Sequence, residues 1–198
     1  MLAFGLFLFL LAAAGRPLHY WGSRAPVVIA EVERGRGVEA QVEEVTAVLD
    51  QGSLVFRLTF DRPLRDALYL KDGTPVSGRL RASIYLDADD DRTTGRDEGP
   101  LDLRTGADHR LEVGVLALGA DASEKRPAQA LVTVALASVQ GGRRRTVWRA
   151  DDSSHPEAVS VYGEWLDVRL PPGAVSPKAG ARVILASGGR SLDGRYRP

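Results

Sequence analysis

The chain has 198 residues, 44% of them hydrophobic and 26% charged, and its 26 acidic and 26 basic residues cancel to a formal net charge of zero. This fits one domain with a sizeable core plus a short appendage, and the balance excludes general attraction to nucleic acid or anionic membrane surfaces. There are no cysteines, which removes disulfides, thiol chemistry and Cys-based zinc sites.

Residues 2–14 form an apolar run ending in Ala12-Ala13-Ala14, the pattern of a signal-peptide core with a small-residue end. The run is shorter than the about 20 residues that span a bilayer as a helix. No Lys or Arg precedes it, whereas Arg16 and Arg24 follow it, a bias that in an uncleaved segment favours a cytoplasmic C-terminal domain. The alternative is a short anchor extended through Leu18, His19, Tyr20 and Trp21. The expectation is an exported protein (periplasmic, cell-surface or extracellular), released or anchored, with membrane contact only through this segment. Residues 1–15 would be signal peptide or anchor, 16–26 linker, 27–190 the domain and 191–198 a tail.

Beyond about residue 25 the hydrophobic pattern has period two. Val38, Ala40 and Val42, then Val45, Ala47 and Leu49, predict a long strand with an irregularity near Glu43-Glu44. Asp50-Gln51-Gly52-Ser53 is a hairpin turn, and Leu54, Phe56, Leu58 and Phe60 alternate after it. A short apolar piece, Leu68-Tyr69-Leu70, precedes a turn at 71–75. Ala82, Ile84 and Leu86 then share one side of a strand that runs into an acidic loop. Further strands are predicted from His109 to Leu118, Leu131 to Val139, Arg143 to Arg149, Val159 to Tyr162, Glu164 to Leu170 and Arg182 to Ala186. Roughly nine short strands separated by turn signals predict an all-β fold, an antiparallel β-sandwich of the jelly-roll or immunoglobulin-like two-sheet kind.

The acidic loop carries the strongest chemical signal. Asp87, Asp89 and Asp91 stand at i, i+2 and i+4, a spacing that points alternate carboxylates inward around a hard cation. Calcium, which takes six to eight oxygen ligands, is the usual occupant. Glu98 falls at the twelfth position from Asp87, where the EF-hand places its bidentate glutamate. Arg92 stands where the EF-hand requires glycine, and a strand rather than a helix leads in. The reading is therefore a calcium-type loop leaving a strand, with Thr94 as a further oxygen donor. The bland alternative is a solvated acidic turn.

The run Ile84-Tyr85-Leu86-Asp87-Ala88-Asp89-Asp90-Asp91, then Thr93-Thr94-Gly95, then Gly106-Ala107-Asp108 ahead of His109, resembles the DOMON-like β-sandwiches. It is closest in character to family 9 carbohydrate-binding-module-like domains of exported bacterial proteins. The resemblance covers about 30 residues. It implies a fold and an ion, with Asp87, Asp89 and Asp91 as ligands and Asp108 as a further ligand or supporting partner. Domains of this kind bind sugars, bind haem or serve as structural modules, and fold alone does not choose among these.

Trp165 shares the outer side of its strand with Asp167 and Arg169. It reads either as a sugar-stacking platform or as a surface tryptophan packed under a loop or in a subunit contact. Trp148 reads as core. Arg143-Arg144-Arg145 reads as a solvated edge strand guarded by charge rather than a phosphate patch. Asp151-Asp152-Ser153-Ser154-His155 holds triad residue types, but adjacency is not triad geometry, and a loop is the plainer reading. His19, His109 and His155 lack metal-ligand spacing, and Met1 is the only methionine, so internal His/Met haem ligation is absent.

These features together predict a non-catalytic module with a structural calcium site and carbohydrate as the leading ligand class. The alternative is a structural subunit of a larger cell-envelope assembly whose partners are proteins.

Overall fold

The computed structural model describes residues 27–31, 40–76, 80–96, 106–119, 128–140, 143–187 and 190–195. The N-terminal apolar run and Glu98 lie outside these. Eleven strands and one short helix are described: β1 (Val27–Glu31), β2 (Val42–Asp50), β3 (Ser53–Phe60), α1 (Leu64–Leu68), β4 (Ala82–Asp87), β5 (His109–Leu118), β6 (Gln129–Gln140), β7 (Arg143–Asp151), β8 (Val159–Tyr162), β9 (Trp165–Arg169), β10 (Arg182–Ser187) and β11 (Arg190–Arg195).

The strands form two antiparallel sheets, one of five strands in the order β1-β2-β3-β9-β8 and one of six in the order β11-β10-β4-β5-β6-β7. The core lies between them. Phe56, Leu58, Leu166 and Val168 from the first sheet and Ile84, Leu86, Leu111 and Leu136 from the second belong to one buried cluster. These are alternate residues of their strands, because side chains in a strand point to opposite faces with a period of two. The all-β sandwich predicted from the alternation is the observed architecture.

Local sequence explains several details. Gln51 and Gly52, both at positive φ, close the β2–β3 hairpin in two residues, with Asp50 opposite Ser53. The expected irregularity is a register shift between Val42 and Glu44. It lets Val42 and Val45 both reach the core despite their odd spacing.

Three expectations need correction. Of the predicted apolar piece at 68–70, only Leu68 belongs to α1, which buries Leu64, Ala67 and Leu68; Tyr69 is extended and bridges Pro75, and Leu70 is exposed. Pro63 fits just ahead of α1 because its fixed φ suits a helix start. The predicted tail beginning at 191 is largely β11, which pairs with β10 from Ser187–Arg190 to Arg182–Arg195. The first paired strand is β1, which the alternation did not single out. β1 and β11 are edge strands at corresponding ends of their sheets. Such edges do not alternate cleanly, since burial of one face is what imposes the pattern.

β7 is the other edge of the six-stranded sheet, and Arg143 and Arg145 on it are exposed. Charged side chains along an edge discourage pairing with another chain. Trp148 packs against the core, as expected. Among the described residues, no helix is long and apolar enough to cross a membrane.

Candidate metal centre

β4 ends at Asp87, and the chain then turns sharply away from the sheet. Asp90 adopts φ 57°, a left-handed conformation that Asp tolerates better than most residues. The loop folds back along 106–108. Arg96 and Ala107 bond each other through both backbone pairs, at 3.1 and 3.0 Å.

This close crossing requires glycine twice. Gly95 has φ +65°, and a Cβ there would sit 2.3 Å from the Gly106 carbonyl oxygen. Gly106 has φ +56°, and its Cβ would lie 2.6 Å from the Arg92 Cα. The Thr-Gly and Gly-Ala-Asp steps noted in the sequence are thus the two contact points of one loop crossing.

The crossing delivers Asp108 to the end of β4. Its N–H donates to the Leu86 carbonyl at 2.8 Å, and its carbonyl accepts from the Val139 N–H at 2.8 Å. Its Oδ2 accepts from the Ala88 N–H at 3.0 Å. Asp87, Asp89 and Asp108 each offer a carboxylate oxygen, and these oxygens lie within 4.8 Å of one another.

Asp87 is 2% exposed, and its Oδ2 is buried without a hydrogen-bond partner. Its Oδ1 accepts from the Asp91 N–H at 3.0 Å. Burial pushes the Asp87 carboxyl above the ordinary aspartate range; the Asp91 N–H opposes this, and the charges of Asp108 and Asp89 add to it.

The other sequence candidates take different places. The Asp91 carboxylate turns away, and its Oδ1 accepts from the Thr93 N–H at 2.9 Å and the Thr93 hydroxyl at 2.6 Å. That is the local bond an aspartate makes in a turn, and it competes with pointing inward. What Asp91 gives the cluster is its N–H, shared between Asp87 and Asp89 at 3.0 Å each. Thr94 lies beside Asp89, with its hydroxyl 3.1 Å from Oδ1 and 2.9 Å from the Asp91 carbonyl. It orients Asp89 rather than joining the three carboxylates.

Two elements not singled out in the sequence hold the loop from behind. The Arg195 guanidinium donates to Asp90 Oδ1 at 2.6 Å and to the Gly180 carbonyl at 2.8 Å. The Lys178 N–H donates to the Ala88 carbonyl at 2.9 Å. The Arg195–Asp90 bond spans 105 residues and so leaves no local trace in the sequence.

The three carboxylate oxygens are close enough together to share one metal ion. An all-carboxylate set also suits a hard cation rather than zinc or copper. The chain would supply three of the ligands, including one buried oxygen whose only remaining partner would be the ion.

Trp165 lies on the far sheet, on the face away from the core. The Arg57 guanidinium sits 4.9 Å from its ring centroid, and the Tyr162 ring stacks at 5.9 Å and 27°. Arg57 is held by a two-pronged ion pair to Asp167, both bonds 2.7 Å. Arg57 therefore occupies part of the aromatic surface expected for a ligand, and Tyr162, 43% exposed, carries the more open ring.

The serine, histidine and aspartate at 151–155 form a turn. Asp151 Oδ1 accepts from the N–H groups of Ser153 at 3.0 Å and Ser154 at 2.7 Å. His155 Nδ1 stands 3.7 Å from Asp151 Oδ2. His109 Nδ1 is 2.8 Å from the Ser138 hydroxyl, and burial lowers its pKa against the pull of Asp108.

The fold and site define an antiparallel β-sandwich carrying a three-aspartate group at one strand end. No protein-family model matches the chain, and neither the curated proteins nor the solved structures give a match.

Proposed function

We propose that the chain is an exported or membrane-anchored, non-catalytic β-sandwich module with a structural calcium site and carbohydrate as its ligand class. This is the role implied by its resemblance to DOMON-like and family 9 carbohydrate-binding-module-like domains. The observation that carries the calcium reading is that Asp87, grouped with Asp89 and Asp108, has a buried Oδ2 without a hydrogen-bond partner. An uncompensated buried carboxylate is costly, and a cation removes that cost. The ion would neutralise the three charges and tie the end of β4 to the start of β5. The aromatic pair Tyr162–Trp165 supports the carbohydrate reading, since stacked rings offer a flat apolar surface to a sugar face.

Thermal unfolding of the full chain tests the calcium reading. Calcium added after EDTA treatment should raise the melting temperature progressively with ion concentration, because only the native state holds the ligands together. Asp89→Asn should abolish the rise. Equal melting temperatures in EDTA and in calcium would refute the site.

A further inference from the structure

The outer face of the six-stranded sheet, opposite the Trp165 side of the molecule, carries a groove that the reading above does not use. The register defines it. Across the sheet, Ser83 lies opposite Glu112, Glu112 opposite Ala135, and Ala135 opposite Arg149. In the next row Gly114 lies opposite Thr133. Small residues on β6 and Gly114 therefore form a floor, and longer side chains on β5 and β7 form walls about 10 Å apart, two strand spacings. The resulting trough has a volume of about 900 Å³, within the range of small-molecule sites.

Its polar groups are unequal. Arg110 is paired with Glu112 and also lies over the Tyr85 ring at 5.4 Å. Asp151, at one end, is taken up by its own turn and His155. Arg149, on the opposite wall, is exposed and has no ion pair among the described residues. A guanidinium without a partner at the rim of a trough suits a carboxylate, which it can grip with two parallel bonds.

The trough has no aromatic floor, so a neutral sugar would find no stacking surface there. β7, which forms one wall, is an edge of its sheet, so an extended acidic peptide is the competing occupant that the test must separate. A floor of small residues beside a guanidinium that has no ion pair among the described residues suits, on the carbohydrate reading, an acidic saccharide. We propose that the groove along β6 binds a carboxylate-bearing saccharide, with Arg149 holding the carboxylate. The proposal rests on the carbohydrate reading and deepens it to acidic sugars at a second face.

Calorimetric titration of the full chain with a glucuronate-containing tetrasaccharide tests it, alongside the carboxyl-methyl ester of that saccharide, a neutral tetrasaccharide and hexaglutamate. The acidic form should bind, and the ester should bind roughly tenfold or more weakly, as expected for loss of one charge-assisted pair. Arg149→Gln should weaken the acidic form to a similar degree. Ala135→Phe, which fills the floor, should block it. Undiminished binding to Arg149→Gln would overturn the groove assignment. Loss in Trp165→Ala with retention in Arg149→Gln would overturn the groove while sparing the carbohydrate reading. Equal binding of hexaglutamate would overturn the choice of saccharide. Absence of binding by any saccharide, acidic or neutral, would overturn both readings.

Discussion

Gly106 shows how much one residue decides. At φ +56°, with a Cβ position 2.6 Å from the Arg92 Cα, it permits the crossing that carries Asp108 to the end of β4. Gly106→Ala combines about 1–2 kcal/mol for a left-handed alanine with a backbone clash. We expect a loss of about 2 kcal/mol or more in denaturant unfolding, larger with calcium present than in EDTA. An equal loss in both would separate the crossing from the ion. Asp151 makes a second case. The N–H of Ser154 is the foremost influence holding its carboxyl below the usual aspartate value, aided by the Ser153 N–H and His155. A depressed native pKa stabilises the fold above the unfolded value of about 3.9, and this is lost as pH falls through the native value. Asp151→Ala should cost about 1 kcal/mol at neutral pH, and its deficit should shrink towards pH ~2. Melting temperatures of both proteins across that range would check this, and a constant deficit would contradict it.

At the scale of elements, the pairing of β3 with β9 depends on more than backbone bonds. Arg57 and Asp167 are directly opposite each other, and the Asp167 side chain is 2% exposed. Removing one member of such a pair strands the other charge, which typically costs about 3–5 kcal/mol, whereas replacing both with apolar residues is often neutral. Arg57→Met should therefore destabilise by about 3 kcal/mol, and Arg57→Met with Asp167→Leu should recover most of that. A double variant as unstable as the single one would show that the charge pair itself holds the strands. On the same face, Arg169 pairs with Asp50 at 2.9 Å. These two ion pairs explain why a solvent-side face of the sheet carries buried polar residues. They also explain why an exposed-looking Trp165 is half-buried: its neighbour Arg57 is fixed over it by Asp167.

At the scale of the whole molecule, the single core between the sheets is the main source of stability. Phe56, fully buried near the centre of β3, tests that core away from the loops. Phe56→Ala should cost about 3–5 kcal/mol, a large share of the stability of a domain this size. A loss below about 1 kcal/mol in equilibrium denaturation would mean the sheets are not packed through this residue.

The sequence by itself determined the strands whose alternation reflects a buried face, the two-residue hairpin at Gln51-Gly52, the register break near Glu43, and the clustering of aspartates at the end of β4. Each is written locally, because turn chemistry and the period of two act over a few residues. Only the tertiary structure decided that Asp108, arriving from another loop, joins Asp87 and Asp89 while Asp91 turns to bond Thr93. It also decided that Arg195 holds Asp90 from 105 residues away, and that β9 lies beside β3 and β10 beside β4. Such pairings are chosen by which faces can be buried together, a property of the assembled sheets that no short stretch of chain contains.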